Sequence, residues 1–147
     1  MGAFYTSCRV ENHDRQQSVE IPRVLVDTGS EYTWIAEKTL ESIGIEREKK
    51  DLTFVMANGQ QITRSSGFAI LHVAGTRTTD EVIFGEEGDL QLLGAHTLEG
   101  LNMRLDMQQR KLVAAGPILA APSVAQPSRF RVSRILQSRR LRYVNIR

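Results

Sequence analysis

Short runs of alternating apolar and polar residues, separated by closely spaced turn signals, constrain the fold of this chain more than any other sequence feature. Apolar or small side chains alternate with polar ones over residues 4–10, which is the period-two signature of a half-buried strand. A second strand is predicted over residues 18–26, and its apolar end, residues 24–26, suits a strand covered on both faces. Many short strands at close spacing favour an all-β barrel or sandwich over βαβ units.

Two segments depart from the strand pattern and predict short helices. Ala36, Leu40 and Ile43 lie at positions i, i+4 and i+7, and Gly44 follows directly, which suits a helix with a glycine C-cap. Residues 95–101 also suit a brief helix. We therefore expect a small closed β-barrel that carries one or two short helices.

The strongest local prediction is a tight turn at Asn58-Gly59. Asparagine followed by glycine tolerates positive φ at both central positions, so a two-residue type I′ hairpin is expected between strands at residues 52–57 and 60–62. Further short strands are predicted over residues 68–73, 78–84, 90–94, 103–105 and 111–114. The last two of these would form a closing hairpin.

Composition limits the classes of protein to which the chain can belong. With 147 residues, of which 41% are apolar and 24% charged, the chain matches a globular domain. Cys8 is the single cysteine, which excludes an intramolecular disulfide and a cysteine-based zinc site, and the three histidines share no ligand spacing. We expect no metal ion and no cofactor. With neither a signal-peptide pattern nor an apolar stretch long enough to span a bilayer, we expect a soluble, cytoplasmic protein without a membrane partner.

The charges divide the chain into two parts. Residues 121–147 carry seven arginines and no acidic residue, whereas residues 1–120 carry 12 basic and 17 acidic residues. Glycine and proline mark the junction, so we predict a folded domain over residues 1–119 and a basic tail over residues 120–147. The tail suits a solvated, disordered extension, a basic amphipathic helix, or an arm that binds nucleic acid, an anionic membrane or an acidic partner. The acidic body argues against nucleic-acid binding as the main role.

The segment Val-Leu-Val-Asp-Thr-Gly-Ser at residues 24–30 is the most informative motif of the chain. A hydrophobic strand ends there in a carboxylate, Asp27, at a point where the chain must turn. Gly29 permits close approach of the backbone, and the hydroxyls of Thr28 and Ser30 can hold the carboxylate and its neighbours. Taken alone, the motif fits a reactive carboxylate and an ordinary strand-to-turn transition about equally well.

Further segments accompany this motif in a consistent order, namely MGAFY at residues 1–5, ANG at residues 57–59 and LLGAHTLEGL at residues 92–101. Together with VDTG at residues 26–29, the series resembles the retropepsin-like aspartic proteases, the single-lobe, retroviral-type members of the pepsin-related clan, and in particular their bacterial representatives. The resemblance covers residues 1–119 and does not account for the tail. It implies an acid-protease-type barrel that acts as a homodimer and hydrolyses peptide bonds.

Carried over to this sequence, the resemblance implies that Asp27 is the catalytic aspartate and that Thr28 and Gly29 complete the catalytic motif. Thr28 would support the pair of active-site loops across the dimer, and residues 92–94 would pack beneath the loop as a scaffold. The substrate-binding residues would be Ser30 and the tip of a flap that closes over the substrate, formed by Met56, Ala57, Asn58, Gly59 and Gln60.

Two positions depart from the retroviral pattern. Ser30 stands where many retroviral members have alanine, and Ala95 stands where they usually carry an arginine. The ion pair that this arginine makes near the active-site loop is therefore absent, which weakens the transfer of retroviral substrate or interface detail. Trp34 follows the motif closely, and the sequence leaves open whether it lines a substrate pocket or packs in the core.

Aspartic proteolysis requires two carboxylates close together, one as the base that activates water and one as the acid that protonates the carbonyl oxygen. The chain has one Asp-Thr-Gly motif, and its other aspartates fall in predicted turns, a loop and a hairpin, at Asp14, Asp51, Asp80, Asp89 and Asp106. An enzyme of this kind must be a homodimer with one Asp27 from each subunit, acting on extended polypeptide. The alternative is a non-catalytic dimeric β-barrel that binds peptides or partner proteins in the same cleft.

Overall fold

The computed structural model describes residues 3–120 of the chain. The chain divides into two compact units between Gly116 and Pro117. The described part of the second unit, residues 117–120, contains no helix or strand. The predictions for the basic tail concern residues outside the described range. In the first unit, the described elements are β1 (Tyr5–Glu11), β2 (Ser18–Val26), β3 (Thr33–Ala36), α1 (Glu37–Ser42), β4 (Lys49–Val55), β5 (Gln61–Val73), β6 (Thr76–Gly85), β7 (Leu92–Leu93), α2 (Ala95–Gly100), β8 (Met103–Asp106) and β9 (Lys111–Ala114).

Seven of these strands form one mixed sheet in the order β1-β2-β7-β3-β6-β5-β4. β2 runs parallel to β7 and β3 runs parallel to β6, while the other pairings in the sheet are antiparallel. An additional antiparallel pairing joins β1 to β5. β8 and β9 form a separate two-stranded sheet. The motif at residues 24–30 therefore begins on β2 beside β7, in the interior of the larger sheet.

The sequence predicts the first two strands well. β2 spans the predicted residues, and β1 begins one residue later than predicted and also ends one residue later. Cys8 and Val10 are buried, because side chains two residues apart share one face of a strand. The prediction of a mostly β chain with one or two short helices is confirmed, and the described residues form two. The closed barrel and the homodimer stay predictions.

Both predicted helices are present. α1 buries Leu40 and is followed by Ile43, after which Gly44 continues the chain at φ +79°, a conformation that glycine commonly supplies at a helix C-terminus. α2 buries Thr97 and Leu98. In the described part of the chain, neither helix is long and apolar enough to cross a bilayer.

The turn between β4 and β5 is not the predicted two-residue type I′ turn. Gly59 has φ +86°, but Asn58 keeps a negative φ, and the type I′ form needs positive φ at both positions. The Gly59 N–H donates to the Met56 carbonyl and the Met56 N–H donates to the Gln60 carbonyl, both at 2.8 Å, which defines a type I turn followed by a glycine bulge. The Asn58 side chain favours this longer loop, because its Oδ1 accepts the Gln60 N–H at 2.9 Å.

A type I′ turn forms instead between β5 and β6. Val73 pairs directly with Thr76, and the two residues between them, Ala74 and Gly75, have φ +51° and +82°. Because alanine rarely adopts positive φ, the sequence does not predict this turn type. The tight turn holds β5 and β6 in a long, continuous ladder.

One cluster of buried apolar side chains joins the strands of the larger sheet to both helices; its members include Cys8, Val10, Val24, Ile35, Leu40, Leu71, Phe84, Leu93 and Leu98. Ile35 belongs to β3, which the sequence analysis does not predict. The first three residues of β3 are all buried and therefore show neither the period of a half-exposed strand nor that of an amphipathic helix. β7, predicted over residues 90–94, is reduced to Leu92–Leu93.

Candidate active site

Asp27 follows directly after β2, where the strand is held parallel to β7. Leu25 is in register with Leu92 and Val26 with Leu93. The Asp27 N–H donates to the Leu93 carbonyl at 3.0 Å, so the backbone hydrogen bonding continues one residue past the strand. The position of Asp27 is therefore fixed by the middle of the sheet and not by a free loop.

The turn after β2 orients the Asp27 carboxylate. The Gly29 N–H donates to Oδ1 of Asp27 at 2.9 Å, and the Ser30 N–H donates to the Asp27 carbonyl at 3.2 Å. The Asp27 side chain is half-buried and lines a cleft. Because the hydrogen bond to Oδ1 fixes the orientation of the carboxylate, it also fixes the position of Oδ2. A catalytic acid or base is expected to be positioned in this way before the substrate binds.

The loop that carries Asp27 rests on the start of α2. The Ala95 N–H donates to the Ser30 carbonyl at 2.7 Å, and the His96 N–H donates to the Glu31 carbonyl at 3.1 Å. Gly94 makes this approach possible, because a Cβ at that position would collide with the Tyr32 carbonyl oxygen. The Leu-Leu-Gly segment thus supports the loop from below, as the resemblance implies.

A chain of buried hydroxyl groups extends this support. The Gly94 N–H donates to Oγ1 of Thr33 at 3.0 Å, the hydroxyls of Thr33 and Thr97 are hydrogen-bonded, and Thr97 donates to Oδ2 of Asp80 at 2.8 Å. Because a hydroxyl has one proton, Thr97 must accept from Thr33 while it donates to Asp80. Asp80 therefore ends a structural network beneath the loop.

The cleft beside Asp27 has a volume of about 680 Å³. Side chains and backbone from three segments line it: residues 27–34 around the Asp-Thr-Gly motif, residues 54–57 of the β4–β5 hairpin, and residues 88–92 before and within β7. A groove of this size, partly apolar and with few charged groups, suits an organic ligand such as a segment of polypeptide.

Aromatic side chains join the hairpin to the floor of the cleft. The Phe54 ring meets the Trp34 ring edge-on with centroids 5.1 Å apart and the Tyr32 ring with centroids 6.0 Å apart. The Tyr32 ring also meets the His96 ring edge-on at 5.3 Å. Trp34 is buried and also lines the cleft, so both interpretations that the sequence left open apply to it.

Some of the predicted site residues line the cleft and others do not. Asp27, Gly29, Ser30, Met56 and Ala57 line it. The remaining predicted site residues, Thr28, Asn58, Gly59 and Gln60, are exposed and lie outside its lining. The motif and the near side of the hairpin are therefore brought together, while the hairpin turn itself extends beyond the cleft.

A second aspartate, Asp89, lines the cleft but is paired with an arginine. Arg64 donates from Nε to Oδ2 of Asp89 at 2.7 Å and from Nη2 to Oδ1 at 3.0 Å. This hydrogen-bonded guanidinium holds the pKa of the Asp89 carboxyl below its ordinary value, because it favours the charged form. A carboxylate held in this way is a poor proton donor, so Asp89 does not qualify as the second catalytic acid of the same chain.

Among the described residues, Asp27 is the cleft aspartate that has no cationic partner within ion-pair distance. Asp14, Asp51 and Asp106 do not line the cleft. Residues 3–120 contain no group of three or more His, Cys, Asp or Glu side chains placed to hold a metal ion. Over the described range, the arrangement therefore offers one aspartate per chain without an ion-pair partner in this position, and the carboxylate of Glu31 also lines the cleft.

Local sequence patterns do not predict several residues of the cleft. Glu31 and Tyr32 directly follow the motif, and a wider window around it would have included them. Phe54 is predicted on a strand, but its contact with Trp34 depends on how the hairpin folds back. Asp89 precedes the Leu-Leu-Gly segment, and its partner lies 25 residues earlier in the chain, a separation that no local pattern encodes.

Comparisons with known proteins assign this domain to the retroviral-type aspartyl proteases. The family model described as gag-polyprotein putative aspartyl protease matches residues 17–100. The chain belongs to this family, which confirms the resemblance stated from the sequence.

The chain is also similar in fold to the retroviral protease-like domain of Ddi1 from Leishmania major, whose crystal structure matches with a TM-score of 0.53. The two sequences are 15% identical, and the match covers 80% of this chain and 91% of the Ddi1 domain. No curated protein matches the sequence. At this identity the structural likeness speaks for the fold alone.

Proposed function

We propose that the protein is an aspartic endopeptidase that acts as a homodimer, with one Asp27 from each subunit in a shared active site. The observation that carries the proposal is the placement of Asp27 at the end of β2, hydrogen-bonded by the Gly29 N–H and open to a cleft of peptide size. The family membership supports this assignment. The pairing of Asp89 with Arg64 supports the requirement for a second subunit.

In the proposed reaction, the two Asp27 carboxylates share one proton, because like charges this close cannot both ionise. The ionised Asp27 takes a proton from a water molecule, whose oxygen attacks the peptide carbonyl carbon, while the protonated Asp27 gives its proton to the carbonyl oxygen. The Asp27 that took the water proton then gives it to the amide nitrogen while the other Asp27 takes a proton from one hydroxyl of the gem-diol, the C–N bond breaks and the carbonyl re-forms. The products are a free carboxylic acid and a free amine.

The dimer itself is part of the proposal. Thr28 is exposed on the single chain, beside the half-buried Asp27, where an exposed hydroxyl can support the matching loop of a second copy. The pairing of β1 with β5 supports the closed barrel that the resemblance implies, because it joins strands from distant places in the sheet order. A two-fold axis between the loops would bring the two Asp27 side chains together.

The proposed substrate is a polypeptide in extended conformation, lying between the motif and the β4–β5 hairpin as a flap. Trp34, Phe54 and Leu92 give the cleft apolar surface that suits apolar side chains beside the scissile bond. The exposed backbone of the hairpin suits strand-like pairing with an extended chain.

The second candidate function is a non-catalytic dimeric β-barrel that binds peptides in the same cleft. The aromatic contacts of Phe54 with Trp34 and Tyr32 favour it, because they build a binding surface that needs no chemistry at Asp27. In this case Asp27→Asn would leave peptide binding intact, and the wild-type protein would cleave nothing.

A mixed peptide library incubated over acid to neutral pH separates the two candidates. We expect wild-type protein to cleave and Asp27→Asn to lose about 10²–10⁴-fold in rate, the range of an acid–base group. Asp14→Asn is the matched control, because Asp14 accepts the Gln16 N–H at 2.8 Å across the same two-residue spacing and lies outside the cleft. Equal cleavage by wild type and Asp27→Asn would contradict the proposal.

A further inference from the structure

Two walls of the cleft are joined by an ion pair that the proposed chemistry does not use. Arg64 lies on β5 at the base of the β4–β5 hairpin, and Asp89 lies in the cleft-wall loop, which we define as residues 86–91 between β6 and β7. Hairpin and cleft-wall loop each contribute to the lining of the cleft. The Arg64–Asp89 pair therefore crosses from one wall to the next.

The geometry of the pair is that of a two-point clamp. Both hydrogen bonds between the guanidinium and the carboxylate are 3.0 Å or shorter, and each side chain is only 13% exposed. Oδ2 of Asp89 also accepts the Glu86 N–H at 2.7 Å, and Oε1 of Glu86 lies 3.5 Å from Nη1 of Arg64. A planar, bidentate and shielded pair of this kind fixes orientation as well as distance, which a single surface ion pair does not.

The rest of the hairpin has little to hold it in place. Residues 55–61, around the turn, are all exposed. The Phe54 ring contacts Trp34 and Tyr32 at the cleft floor, which gives the hairpin one apolar attachment. The Arg64–Asp89 pair is a second attachment, and it leads to the wall beside the cleft and not to the floor.

Leu90 shows what the clamp would position on the other side. It follows Asp89 directly, lines the cleft and is 67% exposed. An exposed leucine in a loop has few contacts of its own to define its place. The carboxylate of the preceding residue, Asp89, is held by Arg64 and by the Glu86 N–H, and this restricts where Leu90 can lie.

We infer that Arg64 and Asp89 are positioning residues whose ion pair ties the β4–β5 hairpin to the cleft-wall loop, so that both walls close on a substrate as one unit. The substrate side of this inference rests on the proposed function, whereas the coupling of the two walls is a property of the free protein. Neither side chain is hydrogen-bonded to Asp27 in the described structure, so the pair acts on binding geometry and not on proton transfer.

Hydrogen exchange of the full-length protein, followed by mass spectrometry, tests the coupling without any substrate. In Asp89→Asn and Arg64→Lys, we expect amides of residues 52–64 and 86–91 to exchange about tenfold faster, because losing the clamp lowers the local opening free energy of both walls. Arg47→Gln is the matched control, since Arg47 makes two contacts of 2.7 Å to Glu37 and Glu41 outside the cleft. Wild-type exchange of the hairpin in both clamp variants would overturn the inference.

Kinetics test the consequence for substrate. We expect Asp89→Asn to raise KM about tenfold while kcat changes less than about twofold, the pattern of lost binding and not of lost chemistry. A fall in kcat at unchanged KM would contradict a positioning role. If the wild-type protein cleaved nothing, the proposed function would fail, and the exchange experiment would still decide the coupling.

Discussion

The loop around Asp27 and the β4–β5 hairpin face the same cleft and are built in opposite ways. Backbone hydrogen bonds to β7 and α2 hold the loop, and the buried hydroxyls of Thr33 and Thr97 support it from below. The hairpin around residues 55–61 is exposed on every residue. A group that must be in place before reaction belongs on a rigid support, whereas a segment that admits a polymer must be able to move. The difference between the two regions is therefore what the proposed function requires.

Among substitutions that test the difference between the loop and the hairpin, we expect Thr97→Val to have the largest effect on stability. It removes the hydroxyl that links Thr33 to Asp80. The buried Thr33 hydroxyl and the half-buried Asp80 carboxylate then each lose one hydrogen-bond partner, and we expect the free energy of unfolding to fall by about 1–3 kcal/mol. Cleavage should fall with it, because the loop that carries Asp27 loses part of its support. Denaturant unfolding measures the first effect and peptide cleavage the second.

Thr79→Val is the control for this change, because it removes the same hydroxyl from an exposed threonine, which lies on β6. We expect its free energy of unfolding to stay within about 0.5 kcal/mol of the wild-type value. If Thr97→Val were equally harmless, the hydroxyl chain would not be what holds the rigid region.

A substitution in the hairpin should weaken substrate binding and leave the stability of the fold nearly unchanged. Met56 lines the cleft, is 38% exposed and belongs to the exposed hairpin turn, so Met56→Ala removes less packing than a substitution in the core would. We expect the free energy of unfolding to change by less than about 0.5 kcal/mol and KM to rise about fivefold, because apolar contact with substrate is lost. A large loss of stability without a change in KM would show that the two regions are not distinct.

The pH dependence of stability isolates the contact between the hairpin and the cleft-wall loop. The hydrogen bond from Arg64 lowers the pKa of Asp89 in the folded protein, so its stabilising contribution is present above the ordinary aspartate pKa of about 4 and is lost as pH falls through the lowered value. The stability difference between wild type and Asp89→Asn should therefore be constant from neutral pH to about pH 4 and shrink below it. A difference that vanished already near pH 6 would contradict this assignment.

Cys8 reports on how often β1 opens in the folded protein. It is buried on β1, and burial, with a further contribution from the Glu20 charge, raises the pKa of its thiol to about 12. Since the thiolate is the reactive form, the folded protein should react with a thiol reagent at neutral pH far more slowly than the unfolded protein does. Rapid labelling of folded protein would show that the strand opens readily.

The parts of the site that lie close together in sequence could be predicted from it. Asp27, Gly29 and Ser30 share one turn, and the apolar end of β2 indicates that this turn follows a buried strand. The Arg64–Asp89 clamp could not be predicted, because many charged pairs are possible and the chain fold selects one of them. The hydroxyl chain through Thr33 and Thr97 depends in the same way on packing between distant segments.

Errors in the fold prediction have local physical causes. Asn58-Gly59 suggests a type I′ turn, but the Asn58 side chain bonds the Gln60 N–H and stabilises a longer loop. Ala74 adopts the positive φ that its residue type disfavours, because the β5–β6 ladder on both sides enforces it. β3 escapes detection because burial on both faces erases the periodicity from which strands are recognised.

Subunit mixing tests the central claim, that two Asp27 carboxylates from two chains form one active site, most directly. Wild-type protein is mixed with an increasing share of Asp27→Asn at constant total concentration, and subunits are allowed to exchange before peptide cleavage is measured. If activity needs an Asp27 from each subunit, it should fall as the square of the wild-type fraction, to about a quarter in an equal mixture. Activity that falls in direct proportion to the wild-type fraction would contradict the shared site.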